Sequence, residues 1–300
     1  MSLATFIEFV VNTLSLGSLY ALLSLGLVFV FGIMEMVNFA YGEYITVSAY
    51  ILYLLGINTS LPWPLVFLLG ILGGAAISVI SEIVAFRPFR GRSVEALLVT
   101  SFAVSLILQY TAQITISPRS KPVPLPGFFN QSVNVAGVVT PIRSLLLIAV
   151  TVLLLAGFSL LMKKTVLGIA MRAAAEDFTT ARLMGVPANL IISCAFAISG
   201  VLAGVVAIFW VGRSGSAEPL MGQAPLLISF IVVVIGGMHS LVGSVVGGFI
   251  YAAIANVLTL VLPTSLLSFR EAIMFAIVII FLVLKPAGLF RGSYVEERVG

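Results

Sequence analysis

The stretch that decides the fold is FIEFVVNTLSLGSLYALLSLGLVFVFGIM, residues 6–34, whose only charged residue is Glu8. A helix needs about 20 such residues to cross the roughly 30 Å hydrocarbon core of a bilayer. The whole chain has the same character, with 61% hydrophobic residues, 9% charged residues and a mean hydropathy of +1.22. A soluble domain carries about 25% charged residues. We therefore expect the excess apolar surface to face lipid.

Further apolar stretches of membrane-spanning length follow along the chain, at 36–57, 62–86, 94–116, 143–162, 189–212 and 268–284. The region 219–262 is too long for one upright helix, since a helix rises about 1.5 Å per residue. It is interrupted by Gly236-Gly237-Met238-His239-Ser240, which predicts two short spans with a break between them. The sequence thus predicts an all-α fold, a polytopic transmembrane helix bundle of eight or nine crossings with broken helices.

Basic residues in the connecting loops predict the orientation, because cytoplasmic loops carry an excess of Lys and Arg. Ten of the 15 basic residues fall in connections that we predict to be cytoplasmic: Arg87, Arg90, Arg92, Lys163, Lys164, Arg172, Arg182, Lys285, Arg291 and Arg298. Five fall outside: Arg119, Lys121, Arg143, Arg213 and Arg270. This arrangement favours nine crossings and an outside N-terminus. Basic residues scattered over short loops indicate topology, so we expect no nucleic-acid partner.

Two connections are long enough to have a structure of their own. Residues 117–142 contain the prolines Pro118, Pro122, Pro124, Pro126 and Pro141, which exclude a helix and indicate an external loop. Residues 165–187 form the second connection, which is predicted to be cytoplasmic. No linker separates independent domains, so we expect a single transmembrane domain over 1–300.

Residues 165–187 predict a short cytoplasmic helix. The run from Leu167 to Asp177 and on to Arg182 is rich in helix-forming residues, and Gly185 followed by Pro187 is a helix stop. Such a helix either docks on a soluble partner or lies on the bilayer surface, and the residues alone favour neither. For a docking helix over 172–185, helical periodicity places four apolar side chains on one face: Ala174, Phe178, Ala181 and Met184.

A polar, glycine-containing segment starts the second span. Asn38, Tyr41 and Glu43 precede an otherwise apolar run, and a carboxylate within a membrane normally faces protein or water. Gly42 would let the backbone leave the helix beside a cavity. The segment predicts a substrate pathway, or else a solvated Glu43 at the cytoplasmic interface with Asn38 as helix cap.

Glycine patterns mark two further features. Gly200-Val201-Leu202-Ala203-Gly204 and Gly243-Ser244-Val245-Val246-Gly247 permit close helix approach, either in the bundle core or at a subunit interface. The sole histidine, His239, follows Gly237 in the predicted break. It is either a hydrogen-bonded structural residue or part of the inner mouth of a pathway.

Several functional classes are excluded or disfavoured by single residues. One cysteine, Cys194, and one histidine exclude Cys- and His-rich metal sites, and we expect no metal or cofactor. None of the lysines follows a glycine, so the chain has no P-loop and any ATPase is another polypeptide. Gly212-Arg213-Ser214-Gly215 resembles the G-x-S-G pattern of intramembrane serine proteases. We predict that Ser214 and His239 lie at opposite membrane faces, which argues against that pair and against an enzyme.

Three of these stretches, taken together in their order along the chain, resemble the LivH-type permeases of branched-chain amino acid ABC transporters. The run from Arg172 to Gly185 resembles the coupling-helix loop of ABC importer permeases. Residues 32–43, GIMEMVNFAYGE, resemble the family's N-F-A-H-G segment, with Tyr41 where the family usually has His. Residues 236–244, GGMHSLVGS, resemble its late glycine-rich break. The resemblance runs from about Leu14 to Phe290.

The resemblance implies a role and a set of partners. It implies an import permease in the plasma (inner) membrane of a prokaryote, with cytoplasmic ATPase subunits, an extracytoplasmic substrate-binding protein and a second permease subunit that is homologous or identical. It implies branched-chain or other hydrophobic amino acids as substrates, while relatives also handle urea and short amides. The implied pathway residues are Asn38, Tyr41, Gly42, Glu43, Gly237 and His239, and the implied ATPase contacts are Arg172, Ala174, Glu176, Phe178, Ala181, Arg182 and Gly185.

A secondary transporter is the remaining alternative of another class. That mechanism holds substrate and coupling ion at mid-membrane on discontinuous helices and usually needs paired intramembrane charges. Away from the loops the sequence offers mainly Glu8, Glu43 and Glu82, and we expect no buried Lys or Arg to pair with them. A structured 165–187 connection also has no role in such a transporter. Both observations favour the ABC permease.

Overall fold

The computed structural model describes residues 3–135, 138–286 and 288–290. Over these residues the chain is mainly helical, and its α-helices are, in chain order, α1 (Leu3–Met34), α2 (Tyr41–Asn58), α3 (Trp63–Ser81), α4 (Val94–Thr115), α5 (Ile142–Lys164), α6 (Val166–Glu176), α7 (Phe178–Leu183), α8 (Ala188–Ser214), α9 (Gln223–Gly236), α10 (Leu241–Val261) and α11 (Arg270–Leu284). A π-helical turn at Glu82–Phe86 and a 3-10 turn at Arg87–Phe89 extend α3, and a 3-10 turn at Thr264–Phe269 precedes α11.

The predicted helical membrane fold is confirmed. Seven helical stretches within the described residues are long and apolar enough to span a bilayer: Thr5–Met34, Trp63–Phe89, Val94–Thr115, Ile142–Lys164, Ala188–Ser214, Leu241–Val261 and Thr264–Leu284. The 18-residue α2 and the 14-residue α9 correspond to the other two predicted segments. At about 1.5 Å per residue, α9 measures about 21 Å and is shorter than a full crossing. The predicted spans and the helices agree in position, except that α2 begins at Tyr41 instead of residue 36.

The 117–142 connection is not helical, as predicted, but it contains short strands. Strand β1 (Lys121–Pro122) pairs antiparallel with β4 (Ser216–Ala217), and β2 (Ser132–Val135) pairs with β3 (Val138–Pro141). A 3-10 turn covers Gly127–Asn130. Valine-rich segments favour extended backbone, so the valines of β2 and β3 indicated strands that the prolines of this connection did not.

Contacts divide the described residues into two compact units. The first unit takes its residues from 1–28, 127–152 and 228–300, and the second unit consists of 29–126 and 153–227. In the second unit α3 packs on α8 at glycine contacts. A Cβ atom on Gly200 would lie 2.4 Å from the carbonyl oxygen of Gly74, and one on Gly204 would lie 2.5 Å from the Cα of Ile71. The first of the two predicted small-residue patterns therefore serves packing within this chain.

In the first unit α9 and α10 form a tight antiparallel pair. A Cβ atom on Gly243 would lie 2.2 Å from the carbonyl oxygen of Gly236, and one on Gly247 would lie 2.7 Å from that of Val232. The second small-residue pattern thus also packs within the chain. The predicted break is present, since Gly237 has φ +107° and the Ser240 hydroxyl caps α10 by accepting from the Gly243 N–H at 2.9 Å.

Two contacts within the second unit join parts of the chain that the charge pattern assigns to the same side of the membrane. Lys121 pairs with Ala217 in the β1–β4 ladder, and both lie in connections predicted to be external. At the other end of α4, Arg90 hydrogen-bonds to Asn189, the second residue of α8. Arg90 lies in a connection predicted to be cytoplasmic, and α8 follows directly after another. Which end faces the cytoplasm stays a prediction. Arg291 and Arg298, two of the predicted cytoplasmic basic residues, lie outside the described residues.

Candidate functional site

The turn between α1 and α2 is held by the buried side chain of Asn38. The Oδ1 atom of Asn38 accepts a 3.0 Å hydrogen bond from the backbone N–H of Ala40, and its Nδ2 donates to the Tyr44 hydroxyl at 3.4 Å. Ala40, not Asn38, occupies the N-cap position of α2, so the predicted cap is wrong. Asn38 instead shapes the turn that precedes the helix.

Glu43 lies in the first turn of α2 and is 2% exposed, so the alternative of a solvated Glu43 is wrong. Its Oε1 atom accepts hydrogen bonds from Gln109 Nε2 at 2.7 Å and from Ser105 Oγ at 3.4 Å. Among the described residues no group hydrogen-bonds to its Oε2 atom. The carboxylate is thus oriented through one oxygen, while the other is buried without a donor. We call Glu43, Ser105 and Gln109 the Glu43 cluster.

Sequence reasoning missed both partners of Glu43, although α4 carried a signal for them. Ser101, Ser105 and Gln109 recur every four residues in an otherwise apolar helix, and all three are buried. This spacing places them on one helix face. A polar stripe on a membrane-spanning helix normally faces protein or a cavity, so the stripe could have marked this face of α4 as one that does not face lipid.

Tyr41 and Gly42 lie on the same turn of α2 but differ in what they contact. Tyr41 is fully buried, and its hydroxyl has no hydrogen-bond partner among the described residues. Gly42 is helical, so the predicted departure from helical backbone is wrong. A Cβ atom there would lie 2.3 Å from the carbonyl oxygen of Gly222. The glycine is needed because the segment before α9 passes directly against α2.

Gly237 and His239 belong to the first unit, whereas the other predicted pathway residues belong to the second. Gly237 holds the left-handed backbone conformation that ends α9, a conformation that favours glycine. His239 is exposed in the connection between α9 and α10. The structure brings Asn38, Tyr41, Gly42 and Glu43 into one turn and helix start. A pathway shared by all six residues stays a prediction.

The 165–187 connection contains two helices, so the predicted single helix over 172–185 is wrong. Thr165 caps α6 by accepting from the Gly168 N–H at 3.0 Å. The chain then breaks at Asp177, whose side chain caps α7 by accepting from the Thr180 N–H at 2.9 Å. Gly185 has φ +89° and follows α7, as predicted for a glycine stop. Asp177 explains the break, because an N-cap residue adopts extended backbone.

The two helices do not present the predicted apolar face to the outside. Ala174 and Ala181 are buried within the chain, and Phe178 is half-buried. Leu183 and Met184 are instead exposed, by 82% and 81%. The charged candidates Arg172, Glu176 and Arg182 are also exposed, as is Gly185. The end of α7 therefore presents an outward apolar surface, and the start of α6 presents a second one at Val166 and Ile169, which are 85% and 53% exposed.

Glu82 is fully buried in the π-helical turn that follows α3, and contrary to the sequence prediction it has basic partners. Arg87 donates to both of its carboxylate oxygens, at 3.3 and 3.2 Å, and Arg90 also pairs with it. Ser193 Oγ on α8 donates to Oε2 at 2.6 Å, and Arg90 in turn reaches Asn189. We call these five residues the Glu82 cluster.

The hydroxyl of Ser214 is engaged in local structure. Ser214 is the last residue of α8, and its Oγ donates a 2.9 Å hydrogen bond to the carbonyl oxygen of Ser216. Gly215 adopts φ +75° in the turn that follows. The G-x-S-G pattern at 212–215 is thus a helix C-terminus with a left-handed glycine.

Known proteins resemble this chain over nearly its whole length. A family model described as "Branched-chain amino acid transport system / permease component" matches residues 9–282. The high-affinity branched-chain amino acid transport system permease protein BraD of Pseudomonas aeruginosa is 30% identical over 97% of this chain and 98% of its own. LivH of Salmonella typhimurium is 29% identical, covering 97% of both chains. A probable LivH of Methanocaldococcus jannaschii is 29% identical over 91% of this chain and 89% of its own.

These matches agree with the resemblance seen in the sequence and with the helical fold. Seven helices of membrane-spanning length and transport permeases as relatives make this a multi-pass plasma membrane protein of a transport system. Permease subunits of this kind are not themselves enzymes. The chain belongs to the family of permease components of branched-chain amino acid transport systems.

Proposed function

We propose that this chain forms the translocation pathway of an ABC importer for branched-chain or other hydrophobic amino acids, and that separate ATPase subunits drive it. The whole of 1–300 acts as one transmembrane permease domain. Its partners are two cytoplasmic ATPases, an extracytoplasmic substrate-binding protein and a second permease, either homologous or identical. The observation that carries the proposal is the match to high-affinity amino acid permeases over 97% of the chain and 98% of the relative.

The Glu43 cluster supports the proposed pathway. A buried carboxylate oxygen with no donor is costly, and such residues within membranes commonly mark routes for polar substrates. An amino acid carries an ammonium group whose N–H donors match Oε2 of Glu43. Asn38 and Gly42 place the start of α2 so that Glu43 reaches α4. Tyr41, Gly237 and His239 complete the proposed set of pathway residues.

The 165–187 connection supports ATPase coupling in a revised form. Docking on a soluble partner requires exposed apolar side chains beside polar ones. Leu183 and Met184 supply such an apolar surface at the end of α7, and the charged Arg182 lies next to them. Ala174, Phe178 and Ala181 contribute by packing the two helices within the chain. Arg172, Glu176 and Gly185 lie on the exposed rim.

A secondary transporter is not disfavoured by a lack of paired charges, since Glu82 pairs with Arg87 and Arg90. Both arginines, however, lie at the end of the Trp63–Phe89 stretch or just after it, and not at mid-membrane, where a secondary transporter holds its coupling ion. The structured 165–187 connection and the named relatives continue to favour the ABC importer.

Uptake by the assembled transporter tests the proposed substrate. The complete importer, reconstituted in liposomes with its binding protein and ATPases, should accumulate radiolabelled leucine when ATP is supplied. Unlabelled isoleucine and valine should compete, while urea and acetamide should not. Competition by urea or acetamide, with none by the branched-chain amino acids, would move the chain to the amide-handling alternative. A catalytically dead ATPase provides the control for binding without transport.

A further inference from the structure

The Glu82 cluster joins two elements that are far apart in sequence. Its arginines lie on the connection from α3 to α4, while Asn189 and Ser193 lie in the first two turns of α8. Glu82 is 0% exposed, and its two oxygens receive donors from both elements. The cluster therefore fixes the start of α8 against the connection that leads into α4.

Each of these two elements continues into a feature with a proposed role. Helix α8 begins at Ala188, directly after the 165–187 connection with its exposed Leu183 and Met184. Helix α4 begins at Val94 and carries Ser105 and Gln109, the donors to Glu43. All these residues belong to the second unit. A continuous series of bonded elements therefore runs from the 165–187 connection through α8, the Glu82 cluster and α4 to the Glu43 cluster.

We propose that Glu82 is a positioning residue for energy coupling, which transmits movement of the 165–187 connection from α8 to α4 and so to Glu43. This inference rests on the proposed function. Arginine suits such a joint because its planar guanidinium donates in a fixed fork to both carboxylate oxygens. The π-helical turn at Glu82 is also typical of functional positions in helices.

The chemistry of the cluster explains why it would act as a rigid joint. The two ion pairs hold Glu82, Arg87 and Arg90 together at the end of α3, because a buried carboxylate that loses its basic partners is left uncompensated. Helix α8 is attached to this group by the hydrogen bonds of Ser193 with Glu82 and Arg87 and by that of Asn189 with Arg90. Spatial continuity alone does not establish coupling, which requires that a change at the joint alter the relation between the two ends. The measurement must therefore report coupling and not only activity.

The test compares substrate transported per ATP hydrolysed in the reconstituted importer, together with ATPase retention on purification. Glu82→Gln keeps the shape but removes the charge, and Glu82→Asp restores the charge. Asn189→Ala removes only the outermost bond of the cluster, at an exposed position. Glu95→Gln, at an exposed glutamate at the start of α4, is the matched control.

The inference predicts that Glu82→Gln retains its ATPases and hydrolyses ATP, while transport per ATP falls about two- to thirtyfold. Glu82→Asp should recover part of the ratio, Asn189→Ala should lower it less than Glu82→Gln does, and Glu95→Gln should leave it unchanged. If Glu82→Gln does not accumulate in membranes, the transport per ATP of Asn189→Ala is the test of the inference. An unchanged ratio in Asn189→Ala, or uptake and hydrolysis falling in proportion, overturns the inference. If the unaltered importer shows no ATP-dependent uptake, the proposed function fails first and the inference falls with it.

Discussion

Gln109 on α4 donates a 2.7 Å hydrogen bond from its Nε2 atom to Oε1 of Glu43 on α2, across 66 residues of sequence. Ser105 supports the same oxygen from one turn earlier on α4. This contact orients the buried carboxylate and leaves Oε2 without a donor among the described residues. Because an unmatched buried carboxylate oxygen is destabilising, we propose that Oε2 receives a donor from the substrate.

Replacing Glu43 with Gln should reduce transport without disrupting the assembly. The amide keeps the size of the side chain and its contacts with α4, but it loses the charge that would attract an ammonium group. We expect uptake at a fixed substrate concentration to fall at least about tenfold, which corresponds to about 1.4 kcal/mol. Glu8→Gln, at an exposed glutamate of α1, is the control. Equal uptake by the two variants would remove Glu43 from the pathway.

Replacing Gly42 with Ala should destabilise the protein. The added Cβ would meet the carbonyl oxygen of Gly222 at 2.3 Å, and overpacking of this kind costs about 1–3 kcal/mol. Gly32→Ala is a close control, since a Cβ at Gly32 would have no atom within 4 Å and alanine favours helix by up to about 1 kcal/mol. Thermal unfolding in detergent should show a lower Tm for Gly42→Ala only. Matching Tm values for the two variants would contradict the close approach.

Cysteine labelling should define which end of the helices faces the cytoplasm. In a background with Cys194 replaced by Ser, a cysteine at the exposed Thr180 should react with an impermeant maleimide only when the cytoplasmic side is accessible. A cysteine at Ser120, in the 117–142 connection, should react only from outside. The distribution of basic residues supports this orientation. The reverse labelling pattern would invert the topology.

The end of α7 should be the part of the 165–187 connection that contacts the ATPase. Leu183→Asp places a charge on a side chain that is 82% exposed, so it should leave the fold of the permease intact. In an apolar groove that charge would be desolvated without a partner, and we expect ATPase association to weaken at least tenfold, about 1.4 kcal/mol. Val139→Asp, at an exposed valine of β3, is the control. Normal co-purification of ATPase with Leu183→Asp would leave α7 as a surface helix.

Sequence patterns located the helices but not the partners of their buried polar groups. Apolar length and glycine punctuation predicted the spans and the break at Gly237, because both are local properties. The donors to Glu43 lie 62 and 66 residues away, and no local pattern connects them to α2. The same applies to Glu82 and Ser193, which are 111 residues apart.

The 165–187 connection shows a second kind of error. Helix-forming residues on both sides of Asp177 predicted one helix, yet the Asp177 side chain caps the backbone three residues on and splits the segment. Short polar side chains compete with helix continuation in this way. The signal was visible, since Asp is a preferred N-cap residue, but the neighbouring propensities outweighed it. Burial of Ala174 and Ala181 followed from the resulting geometry and was not predictable from periodicity.

The energy source for uptake tests the central claim most directly. Leucine uptake should be measured in liposomes that contain this permease alone, under an imposed sodium or proton gradient, and in liposomes that contain the complete importer with enclosed or external ATP. We predict no concentrative uptake by the permease alone under either gradient. We predict ATP-dependent accumulation by the complete importer, when ATP is on the side of the ATPase subunits. Gradient-driven leucine accumulation by the permease alone, without ATPases, would contradict the account.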